Sequence, residues 1–208
     1  MSESKIKAVL FDMDGVLIDA KDWHYEALNK ALKLFGLEIS KYDHLHSFDG
    51  LPTREKLRMV EEDNYFPEEL HSFVNLLKQK YTVEYIQTKC TPTFCHEYAL
   101  ARLKNEGYKI AVCSNSIRSS IEMMMDKAAL KGYIDLIVSN EDVKKAKPDP
   151  EIYLKAYERL SLKPEQCVIL EDNKNGIKAA KDSGGNVLEI GDVNDVNYWN
   201  IANFIKTL

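Results

Sequence analysis

Short apolar runs recur along this chain, and between them lie longer stretches whose apolar residues follow helical spacing. The runs do not alternate polar and apolar residues, which is typical of strands buried on both faces of a parallel sheet. We expect five such strands, at residues 7–11, 109–113, 134–138, 167–170 and 186–190. Because strand and helix alternate, the pattern predicts an α/β fold with a doubly wound, Rossmann-like parallel sheet.

Helix signals accompany these strands. Apolar residues at positions i, i+3, i+4 and i+7 predict helices over 118–130 and 150–160, and glycines mark the ends of helices over 95–106 and 174–183. We expect Ser119 or Ser120 to cap the first of these helices. We expect Asp149 to cap the second, with Pro150 in its first turn, where a missing N–H costs nothing.

One long gap separates the first strand from the second. Residues 21–35 and 68–81 carry apolar side chains at helical spacing, and strand signals are scarce there. We therefore expect residues 18–88 to form a helical insert over the sheet, hinged where the chain leaves and rejoins a core of residues 1–17 and 89–208.

Polar side chains follow the ends of three predicted strands, and a lysine precedes two prolines between the third and fourth strands. Ligands bind beyond the carboxyl ends of the strands in open α/β sheets, so we expect these groups to meet at one edge. Any one of them alone is usually a solvated turn, a loop or a helix cap, but their joint placement indicates function. The groups are Asp12, Asp14, Ser114, Asn115, Lys147, Glu171 and Asp172.

This set of groups suits phosphoryl transfer. The carboxylates can hold Mg²⁺, which prefers oxygen ligands and offsets the repulsion between an anionic nucleophile and a phosphate. One aspartate can attack phosphorus, and the second can protonate the leaving oxygen. The phosphoryl oxygens can be bound by Ser114, Asn115 and Lys147. Gly15 permits the tight turn that points both aspartates into one pocket.

The composition of the chain indicates which partners and which cellular location to expect. The 208 residues carry a net charge of −5, which does not suggest a nucleic-acid partner. The polar N-terminal stretch and the lack of a long apolar run suggest neither a signal peptide nor a membrane span. Cys113 and Cys167 fall in apolar runs and are expected to be buried thiols, which fits a reducing, cytoplasmic location.

Four segments of the sequence resemble, in order and spacing, the motifs of the haloacid dehalogenase-like hydrolase superfamily. They are DMDGVLID, CSNS, KPDPEIY and LEDNKNGIKAA. The resemblance implies that Asp12 is the nucleophile and Asp14 the acid/base, and that Ser114 and Lys147 bind the phosphoryl group. It also implies Mg²⁺ bound by the Asp12 carboxylate, the Asp14 carbonyl and Asp172, with Glu171 beside the ion or just behind its ligands.

The insert resembles the cap domain of the β-phosphoglucomutase and phosphoglycolate phosphatase branch, which implies substrate-binding residues there. His24 resembles an early cap histidine, although it could equally be a core histidine of its helix. The stretch GLPTREKL (50–57) resembles a specificity loop in which Arg54 would meet the far end of the substrate; the alternative is a helix-starting turn. Lys78 resembles a cap lysine, and Arg118 could bind a second anionic group.

Two departures from the family pattern leave the reaction open. Ala20 stands where a hydroxyl residue is common, and Cys95 stands near a usual glycine, so a specialised mutase is less favoured. We expect a Mg²⁺-dependent phosphatase of a small phosphorylated metabolite such as a sugar phosphate, with a sugar phosphomutase as the alternative. A non-enzymatic phospho-receiver domain is a third, remote hypothesis. We expect a monomer, with a dimer left open, and neither a nucleic-acid nor a membrane partner.

Overall fold

A computed structural model describes residues 5–48, 50–64 and 66–208, without the side chain of residue 63. The chain divides into two compact units. The first comprises Met1–Asp19 and Thr91–Leu208, and the second comprises Ala20–Cys90. These boundaries lie two residues beyond those expected from the sequence, at 17 and 88. That the second unit acts as a cap for the first stays a prediction.

The first unit is built on a five-stranded parallel sheet in the order β3-β2-β1-β4-β5. Its strands are β1 Ala8–Phe11, β2 Lys109–Cys113, β3 Leu136–Val138, β4 Cys167–Glu171 and β5 Asn186–Glu189. The register places Phe11 beside both Val112 and Leu170. The ends of β1, β2 and β4 therefore lie level, and the predicted α/β fold with a parallel sheet is confirmed.

The predicted third strand begins two residues too early. It starts at Leu136, because the Asp135 side chain turns to the sheet and accepts a hydrogen bond from the Ile110 N–H at 2.8 Å. A carboxylate that binds a neighbouring strand in this way ends the regular ladder at that point.

Nine α-helices lie within the described residues. They are α1 Lys21–Leu32, α2 Lys41–Asp43, α3 Thr53–Asp63, α4 His71–Lys89, α5 Phe94–Asn105, α6 Arg118–Lys127, α7 Glu151–Leu160, α8 Lys174–Asp182 and α9 Tyr198–Ile205. The first four belong to the second unit, where Leu28, Leu32, Leu57 and Val74 form a buried apolar cluster. In the first unit, Leu10 and Ile169 of the sheet pack with α7 and α8 in one core.

Of the residues predicted to cap helices, the structure supports one and contradicts the others. Asp149 does support the start of α7, since its Oδ1 accepts a hydrogen bond from the Glu151 N–H at 3.1 Å. The prediction that Ser119 or Ser120 caps α6 is wrong. That helix begins at Arg118, whose N–H donates to the Glu141 carboxylate at 2.7 Å, so an acidic side chain distant in sequence supplies the cap.

Candidate active site

The loop after β1 carries the two aspartates of the first motif. Its entry is fixed because the Asp12 N–H donates to the Leu170 carbonyl of β4 at 3.0 Å. Gly15 has φ +91°, a conformation that side chains disfavour, and its N–H donates to Ile18 at 2.7 Å. Asp12 is buried, whereas Asp14 is half-buried and accepts a hydrogen bond from the Ser116 hydroxyl at 3.2 Å.

Lys147 joins three strand ends at the centre of the site. Its ammonium donates to Asp12 Oδ1 at 2.6 Å, to Glu171 Oε1 at 2.6 Å and to the Cys113 carbonyl at 2.7 Å. Both ion pairs are almost completely buried. Because an ammonium has three protons, these contacts account for all of its donors.

The site carries more negative than positive charge. Burial raises the pKa of Asp12 well above its ordinary value; the nearby Lys147 lowers it, but the carboxylates of Glu171, Asp172 and Asp14 raise it further. Burial alone would lower the pKa of Lys147, but Asp12 and Glu171 outweigh that effect and hold it above its ordinary value. This excess of negative charge favours the binding of a cation at the site.

The carboxylates fit a divalent metal ion. Oxygen atoms of Asp12, Glu171 and Asp172 lie within 4.8 Å of one another, and hard oxygen donors suit Mg²⁺. Glu171 Oε2 is buried and accepts no hydrogen bond from any described residue, so one ligand atom is available. Asp14, predicted to contribute its carbonyl, is not in this group of three, and its part in metal binding stays a prediction.

The motif after β2 provides a hydroxyl and an amide. Ser114 is buried, and its Oγ accepts a hydrogen bond from the Ser116 N–H at 3.1 Å, which leaves its own proton to donate. The Asn115 side chain instead brackets the main chain of Lys147. Its Oδ1 accepts from the Lys147 N–H at 3.1 Å, and its Nδ2 donates to the Lys147 carbonyl at 3.4 Å. These two bonds direct the side chain toward the main chain of Lys147, and its predicted phosphate binding stays a prediction.

The sequence analysis did not predict three residues of the site. Ser116 binds Asp14, Tyr153 donates its hydroxyl to Glu171 Oε1, and Gly176 of α8 lies against the same carboxylate. A Cβ at position 176 would overlap the Glu171 carboxylate, so the close approach requires glycine. The only sequence signals were a second serine after β2, a tyrosine on an apolar helix face and a glycine inside a helix.

The predicted substrate residues of the second unit are partly brought together. Lys78 is buried on α4, and its Nζ lies 3.2 Å from Nδ1 of the half-buried His24 on α1. Arg54 is exposed in the first turn of α3, while Lys56 is buried. Pro52 precedes that helix and supplies no side-chain cap. The substrate contacts of these residues stay predictions.

The Arg118 side chain forms hydrogen bonds with residues of the first unit. Its guanidinium donates to Asp142 at 2.7 Å and to the Ile137 carbonyl at 3.2 Å. Asp142 also accepts from Arg159 at 2.7 Å. Partial burial alone would raise the pKa of Asp142, but hydrogen bonds from Ser139 and Arg159 and the charge of Arg118 hold it below its ordinary value. The predicted binding of a second anionic group by Arg118 would therefore compete with a carboxylate.

Comparison with known proteins gives the family. Residues 9–190 match the model of the haloacid dehalogenase-like hydrolases. The chain belongs to that family. It is 31% identical over 179 residues to a phosphorylated carbohydrates phosphatase of Thermotoga maritima, covering 86% of this chain and 82% of that protein. It is also 34% identical over 180 residues to a phosphoglycolate phosphatase of Aquifex aeolicus, with 86% and 82% covered.

A solved structure shows the same fold. The crystal structure of β-phosphoglucomutase from Clostridium difficile matches with a TM-score of 0.84 at 24% identity, over 97% of this chain and 98% of that one. The expected relationship to this family and the expectation of a phosphatase-class enzyme are confirmed, and mutases occur among the structural neighbours. Among the described residues, every helix is too short or too polar to cross a membrane.

Proposed function

We propose that this hydrolase is a Mg²⁺-dependent phosphatase that cleaves a small phosphorylated metabolite, such as a sugar phosphate, through an aspartyl-phosphate. The observation that carries the proposal is the buried contact of Lys147 with both Asp12 and Glu171, beside Asp172 and next to Asp14. The named phosphatase relatives, which act on phosphorylated carbohydrates and phosphoglycolate, support the substrate class.

The first half-reaction uses both aspartates of the first motif. An Asp12 carboxylate oxygen attacks phosphorus, an Asp12 O–P bond forms, and the bond from phosphorus to the leaving oxygen breaks. Asp14 gives its proton to that leaving oxygen. In the second half-reaction, Asp14 takes a proton from water as the water attacks phosphorus, which frees Asp12 and releases inorganic phosphate. Atoms and charge balance over the two steps.

The surrounding groups orient the phosphoryl group and stabilise its charge. Asp12, Asp172 and Glu171 would hold Mg²⁺, which would supply positive charge against the phosphoryl oxygens. Since all three protons of Lys147 already have acceptors, the lysine must exchange one acceptor for a phosphoryl oxygen. Asp12 is the partner it can release, because attack on phosphorus removes the negative charge of that carboxylate.

Ser116 is suited to hold Asp14 for both proton transfers. Its hydroxyl donates to Asp14 Oδ2 at 3.2 Å and would hold the carboxyl group in place while it gives and takes a proton. Asp14 is also more exposed than Asp12, so it can reach a substrate oxygen and then water. The two carboxyl groups thus have different surroundings that suit different roles.

A sugar phosphomutase is the second candidate, and the contact between His24 and Lys78 favours it. Both residues are among those through which the second unit resembles the cap of β-phosphoglucomutases. A mutase would form the same aspartyl-phosphate but return the phosphoryl group to a sugar hydroxyl, which requires exclusion of water from the intermediate.

A phosphate-release screen tests the proposal and separates the two candidates. The purified protein is incubated with sugar phosphates, phosphoglycolate, pyrophosphate and an aryl phosphate, each with Mg²⁺ or with EDTA. We expect Mg²⁺-dependent phosphate release from at least one sugar phosphate. Isomerisation of a sugar phosphate without net phosphate release would identify a mutase. Turnover that is equally fast in EDTA would overturn the metal-dependent mechanism.

A further inference from the structure

Tyr153 provides a second hydrogen-bond donor to the Glu171 carboxylate, from a position inside the core. It lies on α7, is fully buried, and donates its hydroxyl to Glu171 Oε1, the same oxygen that accepts from Lys147. The Lys147 ammonium also lies 5.1 Å from the centre of the Tyr153 ring. The tyrosine thus contacts both Glu171 and Lys147 from below the site.

The remaining surroundings of Glu171 explain why this donor matters. One side of the carboxylate lies against Gly176 of α8, where no side chain can support it. Its Oε2 accepts no hydrogen bond within the described part of the chain. Of the donors that fix its orientation, Lys147 must move toward a phosphoryl oxygen during the reaction, whereas Tyr153 is anchored by the packing of α7 against the sheet.

We propose that Tyr153 is a positioning residue that fixes Glu171 for metal binding and keeps Lys147 aligned; the inference rests on the proposed function. The phenol is a neutral donor, so it orients the carboxylate without cancelling the charge that a metal ion requires. Hydrogen-bonding partners of ligating carboxylates have this effect in metal sites generally, and their loss costs about 10–100-fold in metal affinity or activity.

The same helix offers a matched control. Tyr157 is also buried and shares a hydrogen bond of 2.8 Å with the Ser183 hydroxyl, but it touches none of the site carboxylates. Tyr153→Phe and Tyr157→Phe therefore each remove one buried hydroxyl from α7 and keep the ring. Both variants are expected to fold, which thermal unfolding verifies, and to lose similar stability.

The experiment measures Mg²⁺ binding without substrate and turnover with it. For each protein, the Mg²⁺ concentration that gives half of the thermal stabilisation is determined, followed by kcat and KM for an aryl phosphate at saturating Mg²⁺. In Tyr153→Phe we expect the half-saturating Mg²⁺ concentration to rise about tenfold and kcat to fall about tenfold, with KM little changed. Tyr157→Phe should match wild type in both. In a Glu171→Gln background, Tyr153→Phe should add little to the loss of Mg²⁺ binding.

Two results would overturn the inference. One is a Tyr153→Phe protein whose Mg²⁺ binding and kcat equal those of wild type; the other is an equal loss in both variants, which would mean a general effect of core packing. The Mg²⁺ titration keeps this test separate from the proposed function. If wild type hydrolyses no phosphate ester, the proposed reaction fails, while the comparison of Mg²⁺ binding still decides the role of Tyr153.

Discussion

Replacing Lys147 by methionine removes the charge that joins the strand ends, with little change in side-chain volume. Lys147 pairs with Asp12 and Glu171, and the exposed fractions of the three side chains are only 3%, 7% and 0%. Removing one partner of a buried ion pair costs about 3–5 kcal/mol, because the remaining charge stays in a poor solvent. We therefore expect the free energy of unfolding at pH 8, without Mg²⁺, to fall by roughly that amount.

The size of the loss should depend on pH. Without Lys147 the pKa of Asp12, already raised by burial, rises further. A carboxyl group with a raised pKa in the folded state favours folding at low pH, and this contribution is lost as the pH rises through the folded-state pKa. The stability gap between wild type and variant should therefore be smaller at pH 5 than at pH 8. Mg²⁺ should also narrow the gap, because it offsets the same carboxylate charge.

Urea denaturation at pH 5 and pH 8, with and without Mg²⁺, measures these differences. The control is Lys145→Met, which removes a nearby lysine whose side chain is 74% exposed and pairs with Asp149; exposed pairs contribute little. Equal, small losses in both variants would refute the reasoning that Lys147 stabilises a buried cluster of charges. So would a gap that is unchanged between pH 5 and pH 8.

Three further predictions address the aspartates and Arg54. Without Mg²⁺, the free energy of unfolding of Asp12→Asn should increase relative to that of wild type as the pH rises above 3.8, the ordinary pKa of aspartate. The reason is that the raised pKa of Asp12 penalises its ionised form in the folded wild type, and urea denaturation across pH measures the difference. Asp14→Asn should lose about a hundredfold or more in kcat with a sugar phosphate but much less with a nitrophenyl phosphate, whose leaving group needs little protonation; equal losses would contradict the acid/base role. Arg54→Ala should lower kcat/KM about tenfold for the true metabolite, as expected for a lost charge-assisted hydrogen bond, and hardly at all for an aryl phosphate. The exposed Arg58→Ala is its control, and identical ratios for the two arginine variants would discard the specificity-loop reading.

The sheet and its functional edge could be predicted because both depend on local patterns. Continuous apolar runs mark strands buried on both faces, and the polar residues that follow them must meet at the carboxyl edge of a parallel sheet. That is why Asp12, Lys147 and Glu171 could be placed together although they are far apart in sequence.

The partners of these side chains could not be predicted, because they depend on packing between distant elements. The pattern of α7 correctly indicates that Tyr153 is buried, but it does not show which polar atom its hydroxyl meets. The same holds for Asn115, which binds the main chain of Lys147, and for Arg118, which binds Asp142. Gly176 has meaning only once α8 and β4 are seen in contact.

Trapping the phosphorylated enzyme tests the central claim most directly. The protein is mixed with substrate and Mg²⁺, quenched during turnover and treated with borohydride, which reduces an aspartyl-phosphate to homoserine. Peptide mass spectrometry then locates the modified residue. We predict modification at Asp12, dependent on substrate and Mg²⁺ and lost in Asp12→Asn. Modification at another residue, or none while wild type turns over and a known aspartyl-phosphate enzyme is labelled in parallel, would contradict the assignment of Asp12 as the nucleophile.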